Sequence, residues 1–520
     1  MHEVITLQFG QQANYLGTHY WNTQESYFTY AGQEESLVNH DISFRAGIGA
    51  NGDETYSPRA LLYDLKGAFG TLRGENALYE VHGQDQARQD GWSGVTIPLQ
   101  LPPIQPSRYQ QALELGLQPP QLSTETVRFW SDYNHLYYHP RSIVQLNDYE
   151  VNSSLMPFER WDTGEELFAS LDREHDLLDR DLRPFLEECD QVQGLQIFTG
   201  IDDAWGGFAS KYLESVADEM GKGCRWVVGL QDARSAHRAV QSTRLASAAQ
   251  TILALNTSAS MHLPLSNAPG RLPSYANVDV NSRWHTAGLQ AAVVESLTLP
   301  TRLRRSVEGG RATFDQLETT LNNEGNRRLA ATSLSLSPPE TKSNEAQVNG
   351  HYDNRVTNGL LQAEDEASDD EPENLDMEFC PSFTFSSGSS RPANPSRPHS
   401  FSRTNILRGH LPTDRDAEAE LRARTGSGPR TSTYHTAVLF PQLPSYPPIL
   451  NFHSSHKADS YAVRVTAETN TSVAERIRAL EEHARRSVGI EEREAVCDGL
   501  ASMAGEYDEG WSDGEDFGED

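Results

Sequence analysis

Apolar residues between Gln191 and Met220 change from a strand pattern to a helix pattern. Residues 192–198 form a short apolar run with the length and composition of a buried strand. Residues 199–207 contain three glycines and two aspartates, which predicts a turn. Four apolar residues then recur at every fourth position and predict one buried helix face: Phe208, Tyr212, Val216 and Met220.

Similar units occur earlier and later in the chain. Residues 4–9 alternate between apolar and polar side chains and predict a strand, which is followed by a glycine-containing turn at residues 10–14. Residues 60–65 predict another short strand, and residues 284–298 predict a helix. Repeated units of strand, turn and helix favour an α/β fold with a doubly wound sheet.

The loop after residue 198 has two interpretations. A glycine-containing loop between a strand and a helix presents backbone N–H groups that bind phosphate, but the same arrangement also occurs as an ordinary turn. Asp202 and Asp203 place negative charge where a phosphate needs donors, and Trp205 is bulky where the backbone would approach a ligand. The sequence therefore predicts a nucleotide-site scaffold with a compromised loop.

Composition separates folded parts of the chain from a polar part. We predict a first domain over residues 1–245 and a smaller second α/β or α+β domain formed by residues 246–331 and 433–505. Residues 332–432 are rich in serine, proline and charged side chains, which predicts a long disordered insertion. Residues 506–520 form an acidic tail.

Charge and cysteine spacing limit the classes of partner. The 520-residue chain has a formal net charge of −31, which disfavours direct binding to nucleic acid or to an anionic membrane surface. The four cysteines form no CxxC pair, which favours a reduced compartment over a disulfide scaffold. No apolar run is long enough to predict a transmembrane helix, and the first residues lack the features of a targeting peptide.

The order of these units resembles the tubulin superfamily, and most closely the Misato family of tubulin-like proteins. The opening MHEVITLQFGQQANYLG resembles the tubulin strand that leads into a loop touching the nucleotide. Gly10, Gln11 and Asn14 stand at matching positions of that loop. The resemblance therefore assigns these three residues to a nucleotide-binding loop.

Two further segments resemble the phosphate side of the tubulin site. In ALLYDLKG, Asp64 is retained, whereas Lys66 stands where tubulins carry a magnesium-associated glutamate. CDQVQGLQIF resembles the entry to the glycine-rich signature loop, of which only Gly206 and Gly207 remain. The resemblance thus implies a degenerate nucleotide site, with GTP as the one cofactor to consider and no metal site.

The Misato resemblance also implies a function. It implies a non-enzymatic tubulin-like protein that acts in the partitioning of mitochondria and the inheritance of mitochondrial DNA. The implied location is the mitochondrion, either peripheral or at its outer surface, with a cytoplasmic pool also open. The implied partners are proteins: further copies of the chain, or the tubulin and chaperonin machinery. Two alternatives stay open, a GTP-binding, polymerising switch of the tubulin class and a cofactor of chaperonin-assisted tubulin folding.

The acidic residue that tubulins use for hydrolysis has no clear equivalent. Tubulins hydrolyse GTP with an acid that a neighbouring subunit supplies from an NxDxxE motif. The nearest equivalent here is the segment 277–282, in which Ser282 stands at the position of the acid. Because a base must be present and within reach, we expect no GTPase activity and assign no catalytic residue.

Two other groups of residues suggest weaker sites. His135 and His139 have the i,i+4 spacing of metal ligands on a helix, but no carboxylate or cysteine completes a set. Arg302, Arg304 and Arg305 could meet an acidic partner or a phosphate, and we interpret them as a solvated basic patch.

Overall fold

The elements below come from a computed structural model that describes residues 2–29, 34–49, 52, 54–72, 104–234, 236–305, 309–339, 376–384, 398–409, 429–452 and 459–508. The strands are β1 (Glu3–Phe9), β2 (Phe44–Ile48), β3 (Glu54–Pro58), β4 (Ala60–Lys66), β5 (Ile143–Glu150), β6 (Val192–Gly200), β7 (Cys224–Gln231), β8 (Met261–Ser266), β9 (Ala331–Ser337), β10 (Met377–Glu378), β11 (Ser400–Arg408), β12 (Arg430–Thr436), β13 (Phe440–Pro441) and β14 (Ser460–Asn470). The helices are α1 (Gly10–Glu25), α2 (Arg108–Glu114), α3 (Trp161–His175), α4 (Arg183–Glu187), α5 (Ala204–Met220), α6 (Arg238–Ser258), α7 (Arg283–Thr298), α8 (Phe314–Leu321), α9 (Ser472–Ser487) and α10 (Ile490–Gly505).

The first sheet is parallel and has the strand order β5-β4-β1-β6-β7-β8. Alternate residues of β1 face opposite sides: Val4 packs in the cluster that includes α1 and α7, whereas Ile5 and Leu7 pack in the cluster that includes α3 and α5. A sheet covered on both faces by helices is the doubly wound arrangement. The predicted fold class is therefore confirmed.

Helix α7 connects this layer to a second sheet. Every residue from Thr286 to Thr298 is buried, as expected for a helix packed on all sides. It contacts α1 on one side and β9, β11 and β14 on the other. The second sheet has the order β10-β9-β14-β11-β12, and its only parallel pair among the described strands is β11 with β12. Helices α9 and α10 pack together against α6.

The first domain continues past the predicted boundary at residue 245. That position lies inside α6, and β8 pairs with β7 as the edge strand of the first sheet. The reason is topological, since a parallel strand needs a crossover helix before it can join the sheet. Helix α6 is that crossover, so the boundary cannot fall within it.

The predicted disordered insertion over residues 332–432 is wrong where the structure describes strands, namely most of β9, β10, β11 and the start of β12. The longest of these strands inside the insertion is the segment Ser400–Arg408. That segment is β11, which lies between β14 and β12 in the second sheet. Alternate residues Ser402, Thr404, Ile406 and Arg408 are buried. Polar composition hid this alternation, because three of the four inward residues are polar. Most of the acidic block 364–378 and of the acidic tail 506–520 lies outside the described residues.

Candidate functional site

The candidate site lies where the first sheet reverses its strand order. β1 has β4 on one side and β6 on the other, and chain connections run outward in both directions. In open α/β sheets, ligands bind outside the carboxyl ends of the strands at such a switch point. Gly10 follows β1 and residues 201–203 follow β6, so the topology brings two of the predicted loops together.

Trp205 fills the space in front of Gly10. Gly10 has a φ of +85°, a backbone conformation that favours glycine. A Cβ atom added to Gly10 would lie 2.4 Å from both Cδ1 and Nε1 of the Trp205 indole. The Trp205 side chain is only 5% exposed. The protein's own ring therefore occupies the place where a ligand would approach this loop.

An aromatic row holds the Trp205 ring in place. The ring centroid of Trp205 lies 5.1 Å from that of Phe158 and 5.7 Å from that of Phe208, both at steep interplanar angles. Phe158 in turn lies 5.0 Å from Tyr149 at the end of β5. Edge-to-face pairs at these distances are favourable beyond their buried area. The ring is thus a packed part of the core.

Asp203 takes the position of an anion at the start of α5. Its side chain accepts a hydrogen bond of 2.9 Å from the backbone N–H of Trp205 and caps the helix. Asp202 accepts a hydrogen bond of 2.9 Å from the backbone N–H of Asp232. Burial raises the pKa of Asp203 to about 6 and raises the pKa of Asp202 well above its usual range. A bound phosphate would have to displace these carboxyl groups or lie beside them.

Asp64 and Asn14, which the resemblance assigns to the nucleotide site, form a buried pair. The Asn14 Nδ2 donates to Asp64 Oδ2 at 2.8 Å, and the backbone N–H of Leu65 donates to Asp64 Oδ1 at 2.9 Å. Burial raises the pKa of Asp64 to about 7, although both hydrogen bonds and the Arg283 charge act in the opposite direction. The pair ties α1 to β4 beneath the loop of residue 10.

Arg283 is a residue of the site that sequence reasoning missed. It is the first residue of α7, and its Nη1 donates to Gln11 Oε1 at 2.9 Å. Its charge lowers the pKa of both Asp64 and Asp203. The only local signal is its place directly after Ser282, where the helix begins. Its proximity to residue 11 depends on the tertiary fold.

Gly206 and Gly207 serve helix packing in this structure. Both lie within the first turn of α5, because the loop that was predicted to reach residue 207 ends before Ala204. A Cβ atom at Gly207 would lie 2.0 Å from the backbone oxygen of Trp161, and one at Gly206 would lie 2.2 Å from Thr251 Oγ1. Their glycine character therefore lets α5 approach α3 and α6. Lys66, the remaining predicted residue, is exposed at the end of β4.

The cleft beside this cluster is small. Its volume is about 10 Å³, whereas sites for small molecules typically measure about 300–1,000 Å³. It is lined by residues of α1, of α7 and of the loops after β7 and β8: Gln12, Tyr15, Asp232, Arg234, Asn267, Arg283, Thr286, Ala287 and Gln290. Arg234 is already paired with Asp232 through its guanidinium group. This cleft has room for about one water molecule, far less than a small-molecule site needs.

Comparison with known proteins shows which families and relatives the chain resembles. Residues 2–115 match the Misato Segment II tubulin-like domain, and residues 119–303 match the tubulin domain. The chain is 45% identical to Protein DML1 of Phaeosphaeria nodorum over 100% of both chains, and 45% identical to Protein dml-1 of Neurospora crassa over the same share. It is 44% identical to Protein dml1 of Aspergillus clavatus, again over 100% of each chain.

The chain belongs to the Misato family of tubulin-like proteins. The resemblance drawn from the sequence is therefore confirmed, and the parallel first sheet with its covering helices is a tubulin-like domain.

In this Misato-family chain, the segment that most resembles the tubulin acid motif lies beside the candidate site of the same subunit. Residues 277–282 come directly before α7, and Ser282 Oγ accepts a 3.4 Å hydrogen bond from the backbone N–H of His285. Arg283 follows immediately and faces Gln11. In a head-to-tail contact, the surface that acts on a neighbour's site must lie away from the subunit's own site. Ser282 is therefore a helix cap and lies at the wrong end for that role.

The structure also places the two weaker candidates. His135 Nε2 is 2.7 Å from Tyr109 Oη, and His135 Nδ1 is 3.5 Å from a carboxylate oxygen of Glu25. His139 accepts a hydrogen bond from the backbone N–H of Arg141. Within the described ranges, no group of three histidine, cysteine or acidic side chains is arranged to hold a metal ion. In the same ranges, no helix combines the length and apolar composition needed to cross a membrane.

The interpretation of Arg302 as a solvated residue is wrong. Its side chain is 1% exposed, and its Nη1 and Nη2 donate to Thr298 Oγ1 and the Glu295 backbone oxygen at 2.8 and 2.9 Å. Glu295 is also paired with Arg408 of β11. Buried charges of this kind are paired, and here the network joins α7 to the second sheet. Arg304 is half-buried and pairs with Glu35.

Proposed function

We propose that this protein is a non-enzymatic, tubulin-like protein that acts in the partitioning of mitochondria and the inheritance of mitochondrial DNA. It works at the mitochondrial surface through protein partners. The Misato family membership supports the process, and the filled nucleotide site supports the absence of enzymatic activity. Neither nucleotide binding nor hydrolysis is needed for a scaffold of this kind.

The observation that carries the proposal is the contact between Trp205 and Gly10. The indole occupies the approach to the first loop, and Asp203 satisfies the start of α5 from within the chain. A preorganised phosphate site needs free N–H donors and space close to the backbone. Here the protein's own side chains take up the N–H donor and the space beside the backbone. The proposed protein therefore keeps a tubulin-like shape without the tubulin ligand.

Calorimetry with GTP and GDP, with magnesium present, tests the absence of a ligand. We expect no binding by the full-length protein at millimolar nucleotide after removal of any co-purified nucleotide. Micromolar binding, equivalent to about −8 kcal/mol, would replace the proposal with the GTP-dependent switch. The triple variant Asp202→Gly, Asp203→Gly, Trp205→Gly then reports whether the loop is what blocks binding. Its circular dichroism must match that of the wild type, because Trp205 is buried.

Depletion of the protein in cells that produce it tests the cellular role. We expect daughter cells with unequal shares of labelled mitochondria and with loss of mitochondrial DNA. A copy that carries Asp64→Asn, which removes the ionisable carboxyl group of the candidate site without changing its shape, should restore both. Unchanged mitochondrial distribution after depletion would refute the proposal. Near-stoichiometric co-purification with chaperonin, together with a fall in soluble tubulin, would favour the folding-cofactor alternative instead.

A further inference from the structure

An apolar groove lies between the segment 178–187 and the end of α5, away from the candidate site. Its volume is about 220 Å³. Buried side chains of Leu178, Leu182 and Val216 form the floor, and half-buried Leu186 and Met220 form the walls. Met220 is 16 residues along α5 from Ala204, or about 24 Å at 1.5 Å per residue. The groove is therefore separate from the nucleotide-like site.

A wide turn of the chain creates this groove. Residues Leu178–Leu182 form one turn of π-helix, closed by a hydrogen bond from the Arg183 N–H to the Leu178 oxygen. Pro184 follows, and its ring would clash with the carbonyl of residue 180 in a regular α-helix. The widened turn avoids that clash, and its buried Leu178 and Leu182 side chains form part of the groove floor. Single π turns are rare and frequently lie at functional sites.

The surroundings of the groove are acidic. Residues 172–190 contain eight aspartate or glutamate residues and three arginines. On the rim, Arg183 is paired with Asp179 and lies 3.5 Å from a Glu219 carboxylate oxygen. Glu187 is exposed at the same rim. An apolar floor inside a mainly negative rim is complementary to an apolar side chain flanked by cations.

We propose that this groove binds a cationic amphipathic segment of a partner protein. One or two apolar side chains of that segment enter between α4 and α5, and its lysine or arginine residues meet the carboxylates of the rim. Amphipathic helices bind grooves of other proteins in this manner, with anchors at i, i+3, i+4 and i+7. The proposal is independent of nucleotide binding and of the mitochondrial role.

Fluorescence anisotropy with labelled model peptides tests this proposal on the full-length protein. The first probe is an amphipathic peptide of leucine and lysine with leucines at helical spacing. The second has glutamate in place of lysine, and the third has the first composition in scrambled order. We expect only the first peptide to bind. Its affinity should fall roughly tenfold as added salt screens the attraction between its lysines and the carboxylates of the rim.

Two variants with matched controls locate the binding surface. Met220→Trp fills the groove and should weaken binding by about tenfold, equal to about 1.4 kcal/mol, whereas Met220→Leu should leave it unchanged. Reversal of the rim charges by Glu187→Lys with Glu219→Lys should weaken binding similarly. Its control, Glu491→Lys with Glu494→Lys, changes the net charge equally at exposed residues of α10, a helix whose buried face packs in another cluster.

Three results would overturn the proposal. The first is absence of binding by the wild type at millimolar peptide, and the second is equal binding of the scrambled or acidic peptide. The third is equal loss of binding in the rim variant and in its α10 control, which would indicate a general charge effect. Self-association that Met220→Trp abolishes in sedimentation experiments would instead assign the groove to a second copy of the chain.

Discussion

Replacing Gly207 with alanine distinguishes a packing role from a ligand role for this glycine. A Cβ atom at residue 207 would lie 2.0 Å from the Trp161 oxygen and 3.0 Å from the Glu165 nitrogen, both backbone atoms of α3. Contacts closer than 3.0 Å are essentially never seen for Cβ atoms, so α3 and α5 must separate by about 1 Å. A backbone atom cannot rotate away as a side chain can.

The expected cost follows from this displacement. Overpacking a core by one methyl group costs about 1–3 kcal/mol, and the better helix propensity of alanine returns at most about 1 kcal/mol. We expect Gly207→Ala to lower the free energy of unfolding by about 2 kcal/mol net, because the clash is very short and is with backbone atoms. Gly206→Ala should cost less, since its nearest neighbour is the Thr251 hydroxyl at 2.2 Å, which can move.

Guanidinium denaturation followed by tryptophan fluorescence measures the effect as a shift of the midpoint. Gly505→Ala is the matched control, because Gly505 also lies in a helix and an added Cβ would meet nothing within 4 Å. The control should be neutral or slightly stabilising. A Gly207→Ala protein as stable as the wild type would refute the packing argument, and so would an equal loss in the control.

Two further variants test the buried charges. Because burial raises the pKa of Asp64 to about 7, the folded state holds a proton that the unfolded chain has released. That contribution to stability is present at low pH and is lost as the pH rises from about 4 to 7. Asp64→Asn should therefore flatten the pH dependence of the free energy of unfolding in this range. The variant should also be more stable than the wild type at pH 8. Arg408→Met should cost about 3–5 kcal/mol in thermal or chemical denaturation, because it leaves buried Glu295 short of a partner. Arg403→Met, which removes a half-exposed arginine from the same strand, should cost under about 1 kcal/mol, and equal losses would contradict the argument.

The sequence alone determined three of the six described strands of the first sheet and two of the helices near it. Apolar periods of two and of about four residues are local properties of the chain, and β1, β4, β6, α5 and α7 all lie where those periods predict them. Matching residues also indicated the family, since the first 20 residues and the segment 186–210 carry the most specific parts of the resemblance. Local patterns identify which residues face inward.

Only the tertiary structure decided what those inward residues do. Gly10 and Trp205 are distant in sequence, and their contact depends on β1 and β6 being neighbours in the sheet. The burial of Arg408 could not be predicted from its polar segment, because a buried arginine charge is stable here only beside Glu295 of α7. Gly206 and Gly207 match a phosphate loop in sequence, yet the close approach of α3 and α6 explains them in the fold. Each outcome is set by a contact between distant segments, which no local pattern contains.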